Sequence, residues 1–243
     1  MADSQTHGTP MQMMSTKRAL LLPCLLLVCL LVCLPFGSAF AQSGSGSGNL
    51  GAFTRAGDVG GPAIKGAAEF SPASGEYRLT GAGANIWARQ DQFQFAWREL
   101  TGDFAVTATM RFLGQGNDHR KGGIMVRQSL DADATYADVV IHGNGMPGLQ
   151  WRSKQGEDTN TFDLPIEGPG TFKVKLIRSG VRIYLYVGRN GAPLKEIAHT
   201  EVSFQNPVLV GLVVCSHNAG ASDTVVFSDV SVEPHAPATR RVP

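Results

Sequence analysis

The sequence predicts an all-β protein built as a sandwich or a barrel. Alternation of apolar and polar residues is common along the chain, whereas helical periodicity is nearly absent. A half-buried strand alternates with a period of two residues, and many short strands joined by turns form sandwiches or barrels. The 243 residues include 29 glycines, and Gly, Asn and Pro stand between the alternating runs. We therefore expect about ten to twelve strands in one domain.

The clearest strand covers residues 104–112, where every second residue is apolar. Two more alternating runs, 172–176 and 181–187, flank Ser179-Gly180, and a two-residue connection of this kind is typical of a tight hairpin. Val208–Cys215 is apolar at every position, which predicts a central strand covered on both faces. The remaining predicted strands are 76–80, 93–97, 123–128, 136–142, 148–152 and 224–232.

The first 41 residues have the pattern of a secretory signal peptide. Lys17 and Arg18 precede an apolar run that continues to residue 36, and Ala39-Phe40-Ala41 provides a cleavage site. The alternative is an uncleaved membrane anchor, since the run is just long enough to span a bilayer. We expect cleavage, which places the mature protein in the periplasm or outside the cell without membrane contact.

Three segments follow the signal peptide. Residues 42–52 form a flexible Gly/Ser linker, 53–233 the folded domain and 234–243 a disordered, proline-rich tail. Removal of residues 1–41 lowers the formal net charge from +1 to zero, so no overall field attracts nucleic acid or an anionic membrane. Cys215 is the one cysteine beyond residue 41, so the domain has no internal disulfide, and we expect this thiol to be a small core residue.

A set of short motifs carries a resemblance that covers nearly all of residues 56–233. In chain order they are GDVG (57–60), YRLTGAGANIW (77–87), DQFQF (91–95), LTGDF (100–104), GGIMVRQS (122–129), QWR (150–152), LIRSG (176–180) and GLVVCSHN (211–218). Together they resemble the concanavalin A-like lectin/glucanase superfamily. The branch they resemble is uncharacterised and is found alone, beside TolB-like propellers or at the C-terminus of some β-xylosidases. The resemblance implies a jelly-roll sandwich of two antiparallel sheets, on whose concave face relatives bind or cleave glycans.

Catalytic motifs are missing. The Glu-x-Asp-x-x-Glu pattern of the superfamily's glucanases is absent, and Asp229 and Glu233 on the last strand lie roughly 13 Å apart. Glycoside hydrolysis needs carboxyl groups about 5–5.5 Å or about 6.5–9.5 Å apart. The histidines are scattered without the spacing of zinc ligands. We therefore expect a binding module without catalysis. A glycoside hydrolase with carboxylates from separate strands, and a protein-interaction module in an envelope complex, are the alternatives.

Sugars are bound by aromatic rings together with polar side chains that contact hydroxyl groups. Such a mixture surrounds Trp87, which has Asp91 and Gln92 nearby, and Trp151, which precedes Arg152. Arg127 and the pair His217-Asn218 lie at the ends of two other predicted strands. Each residue also has a structural alternative, such as packing for Trp151 or an ion pair between Arg127 and Asp103. The candidate ligand-binding residues are Trp87, Asp91, Gln92, Arg127, Trp151, Arg152, His217 and Asn218.

The resemblance also suggests one cofactor, a structural calcium ion. Calcium takes oxygen ligands, and Asp58 and Asp229 would supply two of them if the edges of the two sheets meet. The alternative is that Asp58 is a turn residue and Asp229 a solvated strand residue. The expected ligand of the domain is a polysaccharide or oligosaccharide, or else another ligand exposed in the cell envelope.

Overall fold

The computed structural model describes residues 49–235, which contain sixteen β-strands and no helix. The strands form two seven-stranded antiparallel sheets and a two-stranded ribbon. The predicted fold class, an all-β jelly-roll sandwich, is confirmed. The predicted signal peptide, linker residues 42–48 and tail residues 236–243 lie outside the described residues. Within the described part of the chain, no helix is long and apolar enough to cross a membrane.

The first sheet carries the site described below. Its strands, in spatial order, are β1 (Arg55–Val59), β6 (Phe93–Leu100), β15 (Val208–Cys215), β8 (Lys121–Arg127), β9 (Tyr136–His142), β10 (Pro147–Arg152) and β11 (Asn160–Asp163). The ribbon, β4 (Ile86–Trp87) and β5 (Gln90–Asp91), is a hairpin with Ala88-Arg89 at its turn.

The second sheet packs against the inner face of the first. Its strands, in spatial order, are β14 (Lys195–Glu201), β13 (Arg182–Arg189), β12 (Phe172–Ser179), β7 (Phe104–Leu113), β16 (Asn218–Pro234), β3 (Glu76–Gly83) and β2 (Ala67–Ser71).

The core lies between the sheets and follows the alternation seen in the sequence. Val106 and Leu176 from the second sheet and Ile124, Val139 and Leu212 from the first are fully buried there. Burial of one such side chain contributes about 1.5–3 kcal/mol. The inner face therefore fixes the register of each strand, because a shift by one residue would turn its apolar side chains outward.

The outer face of the first sheet is also buried, which explains why β15 is apolar at every position. A second apolar cluster includes Phe93, Phe95, Met125, Val213 and Cys215 on this face. The predicted central strand and the buried cysteine are confirmed.

The β12–β13 hairpin differs by one residue from the prediction. Ser179 pairs with Arg182, so the two loop residues are Gly180 and Val181 rather than Ser179 and Gly180. Gly180 has a φ of 61°, a conformation that glycine adopts without a steric penalty, and Val181 is exposed in the loop.

Candidate functional site

A pocket of about 340 Å³ opens at one end of the outer face of the first sheet. Lys121 at the start of β8 and His142 at the end of β9 are partners in the ladder, and Gln150 lies on β10. This volume lies at the small end of the range for small-molecule sites, about 300–1,000 Å³. The lining residues are Asn85, Trp87, His119, Lys121, His142, Met146, Gln150, Asp163 and His217.

Three segments cover the outer face beside the pocket, and we call them the cover: residues 86–91, 128–135 and 153–159. Backbone hydrogen bonds join each segment to the other two. They run from Asp91 N to Ala132 O, from Thr159 N to Ala88 O and from Gly156 N to Asp133 O, each 2.9 Å long. The cover is therefore a connected layer rather than three independent loops.

A buried ion cluster holds the cover to the sheet. Arg152 donates to both carboxylate oxygens of Asp91 at 2.8 Å, and Arg127 lies 3.7 Å from the same carboxylate. Arg152 also donates to the carbonyls of Ala88 in the hairpin and Glu157 in the third segment. All three charged side chains are fully buried. Burial raises the pKa of Asp91, and the hydrogen bonds from Arg152 oppose that rise. Burial lowers the pKa of Arg127 to about 10, so it stays charged at neutral pH.

This burial changes the interpretation of three candidate residues. Asp91, Arg127 and Arg152 have no surface that a ligand can contact, so they position the hairpin instead of binding the ligand. The alternative partner considered for Arg127 was wrong, because Asp103 accepts the backbone N–H of Gly180 and Arg127 pairs with Asp91.

Trp87 forms the rim of the pocket, with 38% of its surface exposed. Lys121 fixes the hairpin next to this ring, since its ammonium donates to Asn85 Oδ1 at 2.8 Å and Ile86 O at 2.7 Å. The Lys121 nitrogen lies 5.4 Å from the centre of the Trp87 ring. Lys121 is itself only 3% exposed, so its role is to position the hairpin. Burial lowers the pKa of Lys121, and the charge of Asp138 opposes that shift.

Three histidines that are distant in the sequence meet at the pocket. The ring centres of His119 and His142 lie 6.0 Å apart, and those of His119 and His217 lie 5.5 Å apart. Burial lowers the pKa of His142 to about 3, and burial also lowers that of His217. His142 is therefore neutral at physiological pH. No group of three or more metal-ligating side chains suited to an ion occurs among residues 49–235.

The pocket floor contains polar atoms without partners. Gln150 Oε1 and His142 Nδ1 are buried and find no hydrogen-bond partner among the described residues. Both carboxylate oxygens of Asp138, opposite Gln150 in the ladder, also have no partner in the described part of the chain, but Asp138 is fully buried and does not line the pocket. A buried polar group without a partner costs about 1–3 kcal/mol of stability. Gln150 Oε1 and His142 Nδ1 have almost no accessible surface, so a ligand in the pocket does not reach them in this conformation.

The other predicted binding residues lie away from the pocket lining. Gln92 donates to Gly60 O and accepts from Ala84 N, which fixes the base of the hairpin. Asn218 accepts from Gly220 N at the start of β16. Trp151 is partly buried against the core on the inner face. Of the eight candidates, Trp87 and His217 therefore line the pocket.

The two candidate calcium ligands do not share a site. Asp58 lies on β1 of the first sheet, and both its carboxylate oxygens accept the N–H of Gly66. Asp229 lies on β16 of the second sheet, where it accepts from Thr109 Oγ1 at 2.9 Å. The two carboxylates line different pockets, so the pair does not fit one calcium ion.

The sequence matches no family model and no curated protein. Solved structures with a similar fold include a functionally unknown protein from Saccharomyces cerevisiae, with 15% identity and a TM-score of 0.56 over 70% of this chain and 97% of that one. A mutant of the GH43 protein BlXynB from Bacillus licheniformis has 13% identity and a TM-score of 0.51, over 74% of this chain and 39% of that one. The carbohydrate binding module CBM66 from Bacillus subtilis has 17% identity and a TM-score of 0.47, over 69% of this chain and 91% of that one. The chain thus shares its sandwich fold with the first two of these structures, and a fold by itself does not determine a function.

Proposed function

We propose that the pocket on the outer face of the first sheet binds a saccharide without cleaving it. The observation that carries this proposal is a partly exposed indole ring, that of Trp87, at the rim of a pocket that is also lined by the polar side chains of His119, Asp163 and His217. A sugar ring presents C–H groups that pack on an aromatic face, and its hydroxyl groups both donate and accept hydrogen bonds.

The accessible polar side chains of the pocket have complementary roles in this proposal. The imidazoles of His119 and His217 each offer a ring nitrogen to a ligand hydroxyl. Asp163, on the edge strand β11, accepts from a hydroxyl at the side of the pocket. A ligand without hydrogen-bonding groups would leave these atoms unpaired.

The carboxylates support binding rather than hydrolysis. Asp163 is the one carboxylate among the residues that line the pocket, and Asp138 on β9 is fully buried and does not line it. Both glycosidase mechanisms need two carboxyl groups that reach the scissile bond. Release of new reducing ends from a polysaccharide by the purified protein, lost in Asp163→Asn, would replace this proposal by a hydrolytic one.

The test is a glycan array followed by calorimetry on the best ligand. Trp87→Ala is expected to weaken binding about tenfold or more, which corresponds to about 1.4 kcal/mol. Phe162→Ala is the matched control, because Phe162 is an exposed aromatic residue on β11 with 47% of its surface accessible, but it does not line the pocket. Equal affinity of both variants, or no saccharide bound by the parent, contradicts the proposal.

The sequence supports two further parts of this proposal. Its motifs resemble the uncharacterised concanavalin A-like branch, to which we propose the chain belongs, and we propose that residues 1–41 direct export. In cells that process the signal, the mature protein is expected to begin at Gln42. Intact mass measurement that finds residues 1–41 retained in a membrane fraction would favour the anchor instead.

A further inference from the structure

We propose that Arg120 is a positioning residue for the ligand pocket, because its guanidinium group, paired with Asp223, holds the loop that places His119 at the ligand. This inference rests on the proposed saccharide binding, in which His119 contacts the ligand, and it names what fixes that contact. Arg120 itself does not line the pocket, so it acts through His119.

His119 lies in a surface loop with few bonds of its own to the sheets. The loop, residues 114–120, connects β7 to β8, and His119 is exposed near its end. The backbone N–H groups of His119 and Arg120 donate to Oδ1 and to the carbonyl of Asn117, at 2.8 and 3.1 Å. These bonds shape the end of the loop but do not attach it to a neighbouring strand.

The side chain of Arg120 provides that attachment. Its Nη1 donates to Asp223 Oδ1 on β16 at 2.8 Å, and its Nη2 donates to the carbonyl of Gly114 at 3.2 Å. The guanidinium carbon lies 4.5 Å from the centre of the Phe112 ring on β7. The side chains of Arg120 and Asp223 are only 6% and 9% exposed, so solvent screens this pair weakly. Arg120 therefore joins the end of the loop to its beginning and to β16.

The backbone on both sides of the pocket edge packs directly on this ion pair. A methyl group added at Gly116 would lie 2.5 Å from Asp223 Oδ1 and 2.6 Å from Arg120 Nη1. In the turn between β9 and β10, a methyl group added at Gly143 would lie 2.7 Å from Arg120 Cγ. The loop and the turn that follows His142 therefore both rest against Arg120.

This packing sets the position of His119 relative to the other two histidines. Its ring centre lies 6.0 Å from that of His142 and 5.5 Å from that of His217. Without the guanidinium group of Arg120, the loop is free to move away from these neighbours. His119 would then be in place in only a fraction of the molecules, and the affinity for the ligand would fall with that fraction.

The first test compares two buried arginines by calorimetric titration with the best saccharide ligand of the parent. Arg120→Met is expected to weaken binding about fivefold or more. Arg178→Met is the matched control, because Arg178 is also 5% exposed, donates to Asn206 Oδ1 and lies over the ring of Phe204. None of these control residues lines the pocket. Both variants lose a buried charge and should be less stable, but only Arg120→Met should lose affinity.

A second pair of variants keeps both charges and provides the test if Arg120→Met does not fold. Gly116→Ala places a methyl group against the ion pair and displaces the loop, so it should also weaken binding. Gly57→Ala is its control, since the nearest atom of a residue that is not its chain neighbour lies 3.7 Å from the added methyl group. Neither glycine has a φ in the left-handed region.

A positioning residue acts through the side chain that it positions, and this gives a readout that a general loss of stability does not produce. His119→Ala removes the exposed imidazole and should itself weaken binding. Arg120→Met, or Gly116→Ala in its place, should add no further loss when it is combined with His119→Ala.

The outcomes separate this inference from the proposed function. Weaker binding in Arg120→Met or Gly116→Ala supports it, provided that both controls bind like the parent and that His119→Ala abolishes the effect. Parental affinity in either variant, equal losses in a variant and its control, or losses that multiply with that of His119→Ala overturn the positioning role and leave saccharide binding standing. No saccharide bound by the parent, or binding that Trp87→Ala does not weaken, overturns the proposed function and the inference with it.

Discussion

The buried cluster of Asp91, Arg127 and Arg152 gives the strongest prediction about stability. Asp91→Asn keeps the size of the side chain and removes the negative charge that faces two guanidinium groups. The carboxylate accepts two hydrogen bonds of 2.8 Å from Arg152 and lies 3.7 Å from Arg127. All three side chains are fully buried, so solvent does not screen the lost charge.

The expected loss follows from that burial. Removal of one partner of a buried ion pair costs about 3–5 kcal/mol, because it leaves an uncompensated charge in the interior. Here two cations lose their single close carboxylate, so we expect a loss in the upper part of that range. A domain of this kind has a free energy of unfolding of about 5–15 kcal/mol, so the variant should still fold.

Urea denaturation monitored by tryptophan fluorescence measures this loss. The matched control is Asp158→Asn, since Arg89 and Asp158 join the same hairpin to the same third segment of the cover. Their side chains are 70% and 66% exposed, and an exposed pair contributes little. The control should unfold like the parent. A loss below about 1 kcal/mol in Asp91→Asn, or equal losses in both variants, would refute the assigned role of the cluster.

Two further predictions concern titratable groups. His142 has a folded-state pKa of about 3, whereas the unfolded chain takes up that proton near 6.5, so acid favours unfolding between these two values. The stability of His142→Gln should therefore fall less steeply with decreasing pH than that of the parent over this interval, by up to about 1.4 kcal/mol per pH unit. Equal slopes in the parent and in His142→Gln would contradict the burial of this imidazole. Burial raises the pKa of the Cys215 thiol to about 11, so iodoacetamide should modify this residue in urea and leave it intact in the folded protein. Peptide mass spectrometry checks this, and rapid alkylation without urea would be inconsistent with a closed outer face.

The sequence predicts those strands that bury one face between the sheets. The alternation at residues 104–112 corresponds to β7, and the predicted strand Tyr136–His142 matches β9 at both ends. Six strands were not predicted, and they are short or lie at the edges of the sheets. Every residue of β11 is exposed, so no burial pattern was available to identify it. The strands without a sequence prediction are β1, β2, β4, β5, β11 and β14.

The pocket was harder to predict because its residues come from distant parts of the chain. His119, His142 and His217 carry no common spacing and meet only because β8, β9 and β15 are close neighbours in the first sheet. The binding role predicted for Arg127 and Arg152 fails for a different reason. Charged residues at strand ends usually lie on the surface, yet the cover buries both of these side chains. The segments of the cover have no periodic sequence pattern, so their position over the sheet could not be predicted.

The three tryptophans allow the most direct test of saccharide binding at this pocket. Trp87 lines the pocket, Trp97 is buried on the outer face, and Trp151 packs on the inner face against the core. Each gives one indole N–H signal in a ¹H–¹⁵N spectrum, assigned by substitution of each tryptophan by phenylalanine. On titration with the best oligosaccharide ligand, the Trp87 signal is expected to shift in a saturable manner while the Trp151 signal stays in place. A bound saccharide that shifts Trp151 and leaves Trp87 unchanged would contradict the proposed site.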